Sequence, residues 1–187
     1  RRKGGGVVSR DVIILDLDHI PAGGTDDILQ RMGALGCGYC VYSTRKHSPG
    51  APRLRVLLPL DRPVPPDEYE AIARKAAEMI RIDAADPSTF EASRLMYWPS
   101  CSRDSGYVYH WDDKPLLSAD GMLALYTDWR DISSWPQVPG ASALPARQAA
   151  KQEDPEAKKG IVGAFCRTYD IYQAMETFLP GVYAPVE

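Results

Sequence analysis

At 187 residues the chain has room for one domain of about 150 residues and a remainder, and too little for two. Its longest aliphatic run, residues 12–15, falls far short of the ~20 apolar residues that a membrane-spanning helix needs, which argues against a membrane protein. A net charge of −3 excludes holding nucleic acid by bulk positive charge, so any site for a polyanion must be local.

Residues 12–17 are β-branched and aliphatic, which predicts a buried strand ending in Asp16-Leu17-Asp18. Pro21, Gly23 and Gly24 break it. Thr25 suits the cap of a helix whose Asp26 and Asp27 favour the positive end, with Ile28, Leu29, Met32 and Leu35 on one side and Gly36 as its stop. Residues 38–43 and 54–60 have strand composition on either side of a loop with two prolines and a glycine, and are expected as neighbours in one sheet. Pro65 and Pro66 end that unit. Asp67 suits the cap of a second helix, in which Tyr69, Ile72, Ala73, Ala76, Met79 and Ile80 recur at helical spacing up to about Arg81.

After a turn-rich stretch at 83–89, residues 94–98 and 107–111 are predicted to pair as strands around the loop 99–106. Residues 133–154, with Pro136, Pro139, Gly140 and Pro145, have little to bury and are expected as a linker. The domain is therefore placed at 1–132. Residues 155–187 form a helical start of a following region, supported by Ile161, Phe165, Tyr169, Tyr172, Met175 and Phe178. The chain opens on Arg1 rather than Met, so it reads as a piece of a longer polypeptide. The fold class expected is α+β, a mixed or antiparallel sheet with flanking helices.

Three constellations carry chemistry. Residues two apart on a strand share a face, so Asp16 and Asp18 lie side by side. Left alone they repel, whereas a hard divalent cation such as Mg²⁺ or Mn²⁺ takes both as oxygen ligands. An acidic strand end facing water is the plainer alternative. The second constellation follows the strand at 38–43: Ser43, Thr44, Arg45, Lys46 and His47, with Arg53 and Arg55 downstream, suit phosphate oxygens. Alternation puts Arg53 and Arg55 opposite Leu54, Val56 and Leu58, over an open sheet face. In the third, Asp86 precedes Arg94 by eight residues and is a candidate third metal ligand, with Asp83 as its alternative.

The four cysteines are too few and too scattered for a disulfide framework, and no signal peptide opens the chain, which points to a reducing cytoplasm. Cys37 and Cys40 have zinc spacing but lack a second ligand pair. Trp98, Trp111, Trp129 and Trp135 suit base stacking or, more commonly, core packing.

Asp16-x-Asp18, then Ser43-x-x-x-His47, then Asp86 with Arg94 resemble, in order, the three motifs of the archaeo-eukaryotic primase superfamily. STRKHSPGAPRLRVLLPLDRPV, DPSTFEASRLMYWPS and GIVGAFCRTYDIYQAMETFLPGVY are similar to phage and mobile-element replication proteins in which such a domain precedes a virulence-associated protein E type helicase. The resemblance implies an RRM-like catalytic core and a DNA primase-polymerase. It also implies two Mg²⁺ or Mn²⁺ ions on Asp16, Asp18 and Asp86, and His47 on the phosphates of an incoming NTP or dNTP. Ser43, Arg45, Lys46, Arg53, Arg55 and Arg94 would join His47 in binding the nucleotide, with single-stranded DNA as template and a helicase domain in the same longer chain. Two departures stand out: Thr44, Arg45 and Lys46 replace the glycines common between the serine and histidine, and only fifteen residues precede Asp16. VIILDLD also resembles the first motif of haloacid-dehalogenase-type phosphatases, although no matching lysine element follows. A non-catalytic nucleic-acid or helicase-docking module is the third reading.

Overall fold

The computed structural model describes residues 6–101, 103, 106–141 and 160–179, in two units, 1–144 and 145–187. In the first, strands β1 (Arg10–Leu17), β2 (Tyr39–Ser43), β3 (Leu54–Val64) and β4 (Tyr109–Asp112) form an antiparallel sheet in the order β1-β3-β2-β4. With flanking helices this is the α+β class expected from the sequence.

One face of the sheet is the floor of the core. Ile13, Leu15 and Leu17 of β1 and Leu54, Val56 and Leu58 of β3 are buried, with Val41 of β2 beside them. Helices α1 (Thr25–Ala34) and α2 (Pro66–Ile80) contribute Ile28 and Met32, and Tyr69, Ile72, Ala73, Ala76 and Ile80, to the same core. Burying each of the larger side chains contributes about 1.5–3 kcal/mol. Both helices start as electrostatics directs, with Asp26 and Asp27, or Asp67 and Glu68, in the first turn. The caps differ from expectation: Gly24 precedes α1, and Pro65 precedes α2 with Pro66 at its first position. Proline fits there because the first-turn N–H groups have no intrahelical partner. Gly36, at φ 74°, takes the left-handed conformation that ends α1.

β3 is longer than expected and carries Pro59 and Pro63. Pro59 lies beyond the part of β3 that pairs with β2, where a missing N–H costs no ladder bond on that side, and the β1–β3 register shifts just past it. The expected strand at 94–98 is absent, and β4 pairs with β2 instead. Residues 94–98 are held by side chains: the Tyr97 carbonyl accepts from Arg55 Nη1 (2.7 Å) and from the Tyr42 hydroxyl (3.4 Å).

The first unit reaches past residue 132. Trp135 is buried and donates its indole N–H to the Trp129 carbonyl (2.7 Å), while Tyr126, beyond α3 (Ala119–Leu123), donates its hydroxyl to Ala71 O (2.8 Å). Residues 142–154 of the expected linker lie outside the described residues. The second unit shows α4 (Gly160–Thr168) and α5 (Ile171–Phe178), the latter opened by a reciprocal Asp170–Gln173 capping box. No helix among the described residues is long and apolar enough to cross a membrane.

Candidate active site

The second face of the sheet carries no helix among the described residues, and its composition follows from the register. Asp16 of β1, Arg55 of β3, Tyr42 of β2 and Tyr109 of β4 lie across from one another in one row. Ile14, Leu57, Cys40 and Trp111 form the next. A cleft of about 670 Å³ opens over the first row. It is lined by Asp16, Asp18, Arg45, Lys46, Arg53, Arg55, Asp86 and Arg94, together with Tyr42, Thr44, Tyr97, Trp98, Pro99 and Ser100.

Asp86 arrives by backbone pairing. Asp18 N–H and His19 N–H donate to the Ala84 carbonyl (2.9 and 3.1 Å), and Asp86 N–H donates to the Asp16 carbonyl (2.8 Å). The third acid is thus set beside the first. Thr89 completes the seam. Its hydroxyl accepts from Asp16 N–H (3.1 Å) and donates to the Ile14 carbonyl (2.8 Å), so one side chain replaces the neighbour that edge strand β1 lacks. Asp83 pairs with Arg81 (3.5 Å) and does not line the cleft, which leaves Asp86 as the acid of that segment beside Asp16.

Each motif acid faces an arginine. Arg55 holds Asp16 through two bonds, Nη2 to Oδ2 (2.6 Å) and Nε to Oδ1 (3.2 Å), with the two side chains only 9% and 13% exposed. Burial works against the Arg55 charge, but the Asp16 carboxylate and Tyr42 outweigh it and raise its pKa above the usual value. Arg53 Nη1 meets Asp18 Oδ2 at 2.9 Å. Arg94 Nη2 lies 3.9 Å from Asp86 Oδ2, and Asp86 Oδ1 accepts from Ser88 N–H (2.9 Å). Arg45 and Lys46 are exposed and have no partner among the described residues.

Ser43 and His47 do not line the cleft. The buried Ser43 exchanges bonds with residue 108, its N–H donating to the Val108 carbonyl and its hydroxyl accepting from Val108 N–H (both 2.9 Å). His47, also buried, donates its N–H to the Thr44 carbonyl (2.9 Å), and its Nδ1 accepts from Arg53 N–H (3.1 Å). Those bonds brace the β2–β3 loop from which Arg45 and Lys46 project. Cys37 and Cys40 are free thiols, and burial raises the pKa of both.

Carboxylate oxygens suit Mg²⁺ or Mn²⁺. In this arrangement guanidinium groups occupy them, and among the described residues no three acids, histidines or cysteines gather as a metal site. The sequence pointed to every charged residue of the cleft. It missed Tyr42, whose signal is its place two residues after Cys40 on one strand face, and Tyr97, Pro99 and Ser100, which carry no local signal.

What the fold and the cleft define is an α+β domain with a polar, arginine-rich cleft on the open face of an antiparallel sheet. The family model of the VapE N-terminal domain matches residues 1–138, and the chain belongs to that family. Neither a curated protein nor a solved structure matches it.

Proposed function

We propose that this domain is a primase-polymerase of the archaeo-eukaryotic type, performing template-directed nucleotidyl transfer in the cytoplasm during replication of a phage or mobile element, ahead of a helicase region of the same longer chain. The supporting observation is that acids from two separate segments, Asp16 on β1 with Asp18 just past its end and Asp86 beyond α2, line one cleft with the basic β2–β3 loop. Membership of a family named for the N-terminal domain of VapE agrees with the resemblance read from the sequence.

In this reading the cleft exchanges counter-ions. Asp16, Asp18 and Asp86 would hold the divalent ions, which when bound supply positive charge to the reacting phosphates. Arg45 and Lys46, uncommitted, receive the triphosphate first. Arg53, Arg55 and Arg94 then lean from carboxylate to phosphate oxygen, trading one charge-assisted bond for another at little net cost. His47 acts on the phosphates by holding the loop in place. Trp98, 90% exposed at the cleft wall, offers a face for the base.

Anisotropy of a fluorescent dNTP titrated with protein, with and without Mn²⁺, tests the substrate. Binding should require the metal and weaken at least about tenfold in an Arg45→Ala/Lys46→Ala variant, which loses two charge-assisted contacts. Metal-independent binding, or a variant that binds like the parent, contradicts the reading. Phosphate release from a small phosphomonoester without dNTP binding would favour a phosphatase instead.

A further inference from the structure

Beyond the cleft, the open face of the sheet ends in aromatic rings. Tyr109 and Trp111 occupy the open-face positions of β4 and are 58% and 59% exposed, and Tyr107 precedes them. The Tyr107 and Tyr109 rings are nearly parallel, at 9°, with centroids 6.5 Å apart. On β2 the matching positions are Cys40 and Tyr42, so the open faces of these two strands carry no carboxylate. Asp112 pairs with Tyr39 on the other face and is bonded to Lys114 (2.8 Å).

We infer that Tyr107, Tyr109 and Trp111 form a stacking platform for the bases of a single-stranded nucleic acid whose phosphates reach Arg45 and Lys46. Placement supports this. Ser43, the last residue of β2, bonds to Val108, so the turn bearing Arg45 and Lys46 leaves the sheet at the Tyr107 end of the strip. Tyr42 lies between Arg55 and Tyr109 in one row, joining the strip to the cleft. Exposed ring faces beside unpaired cations match the two chemical parts of a single strand, flat bases and anionic phosphates. A duplex hides its bases, and exposed cations at the end of the strip favour an anionic partner over an apolar protein surface. Because every base has a π-face, the platform reads strandedness rather than sequence. The strand's role as template rests on the polymerase reading; the binding itself does not.

The test is anisotropy of a labelled oligo-dT of about 12 nucleotides, a length in the range that one small domain covers. The chain should bind it and prefer it to duplex of equal length. A Tyr109→Ala/Trp111→Ala variant should lose at least about tenfold in affinity while keeping the parent's unfolding midpoint and dNTP affinity. Trp111→Phe, which retains a ring, should stay within about threefold and lose part of the tryptophan quenching that the oligonucleotide causes. Three results would overturn the inference: no oligonucleotide binding by the parent, equal binding of duplex, or a double variant that binds like the parent. Stacking-dependent binding in a chain that incorporates no nucleotide supports the platform and removes only the polymerase reading. Incorporation with binding indifferent to the double variant removes only the platform.

Discussion

Arg55 shows how one residue joins stability to chemistry. It neutralises Asp16 in a setting almost closed to water, and the same guanidinium holds the Tyr97 carbonyl, fixing the wall that carries Trp98. Removing one partner of a buried pair strands the other charge, so Arg55→Met should destabilise by about 3 kcal/mol. Adding Asp16→Asn should return most of that loss. The Arg53–Asp18 pair has both side chains about a third exposed, and Arg53→Ala should cost less than about 1 kcal/mol. Urea unfolding separates the two cases, and equal losses for Arg53→Ala and Arg55→Met would contradict this account of the pairs. The sequence could place both arginines over the open face, since alternation needs only the strand. It could not say that each would face a motif acid, because that follows from the β1–β3 register, in which Asp16 meets Arg55.

Elements built from local pattern were legible: all four strands and both core helices follow from periodicity and breakers, β4 with 94–98 wrongly expected as its partner. The segment 94–98 was misread for a physical reason. Leu95, Tyr97 and Trp98 have strand composition, but they are exposed, and distant side chains from β2 and β3 take the Tyr97 carbonyl. Local sequence does not encode such bonds. Nor does it single out Thr89, the second of two adjacent hydroxyl residues in a single helical turn, although its hydroxyl seals β1 where the site begins. Thr89→Val keeps the shape and removes both bonds, leaving the Ile14 carbonyl and Asp16 N–H without their partner. A loss of about 2 kcal/mol is expected, with faster amide exchange at Asp16. Unchanged stability and exchange would mean that water or a shifted backbone serves the edge equally well. His47 belongs to this scale too: its position after Ser43 suggested a ligand for phosphate, and its bonds show a brace for the loop that presents Arg45 and Lys46.

For the molecule as a whole, the division of the sheet into two faces explains how one small domain combines a stable core with a polar cleft. The helices bury one face. The other carries carboxylates, arginines and aromatic rings beside Ile14, Leu57 and Cys40, arranged in rows by strand pairing. Each of the three carboxylates that line the cleft has an arginine as its counter-ion. The central claim is that Asp16, Asp18 and Asp86 serve a nucleotidyl transfer at that cleft. Its most direct test is incorporation of labelled dNTP on a primed single-stranded template with Mg²⁺ or Mn²⁺, comparing the parent with Asp18→Asn, a change at an acid more exposed than Asp16 that leaves the Asp16–Arg55 pair intact. The account predicts template-dependent extension by the parent and its loss in a variant with the parent's unfolding midpoint; extension unchanged by Asp18→Asn, or none by the parent, would contradict it.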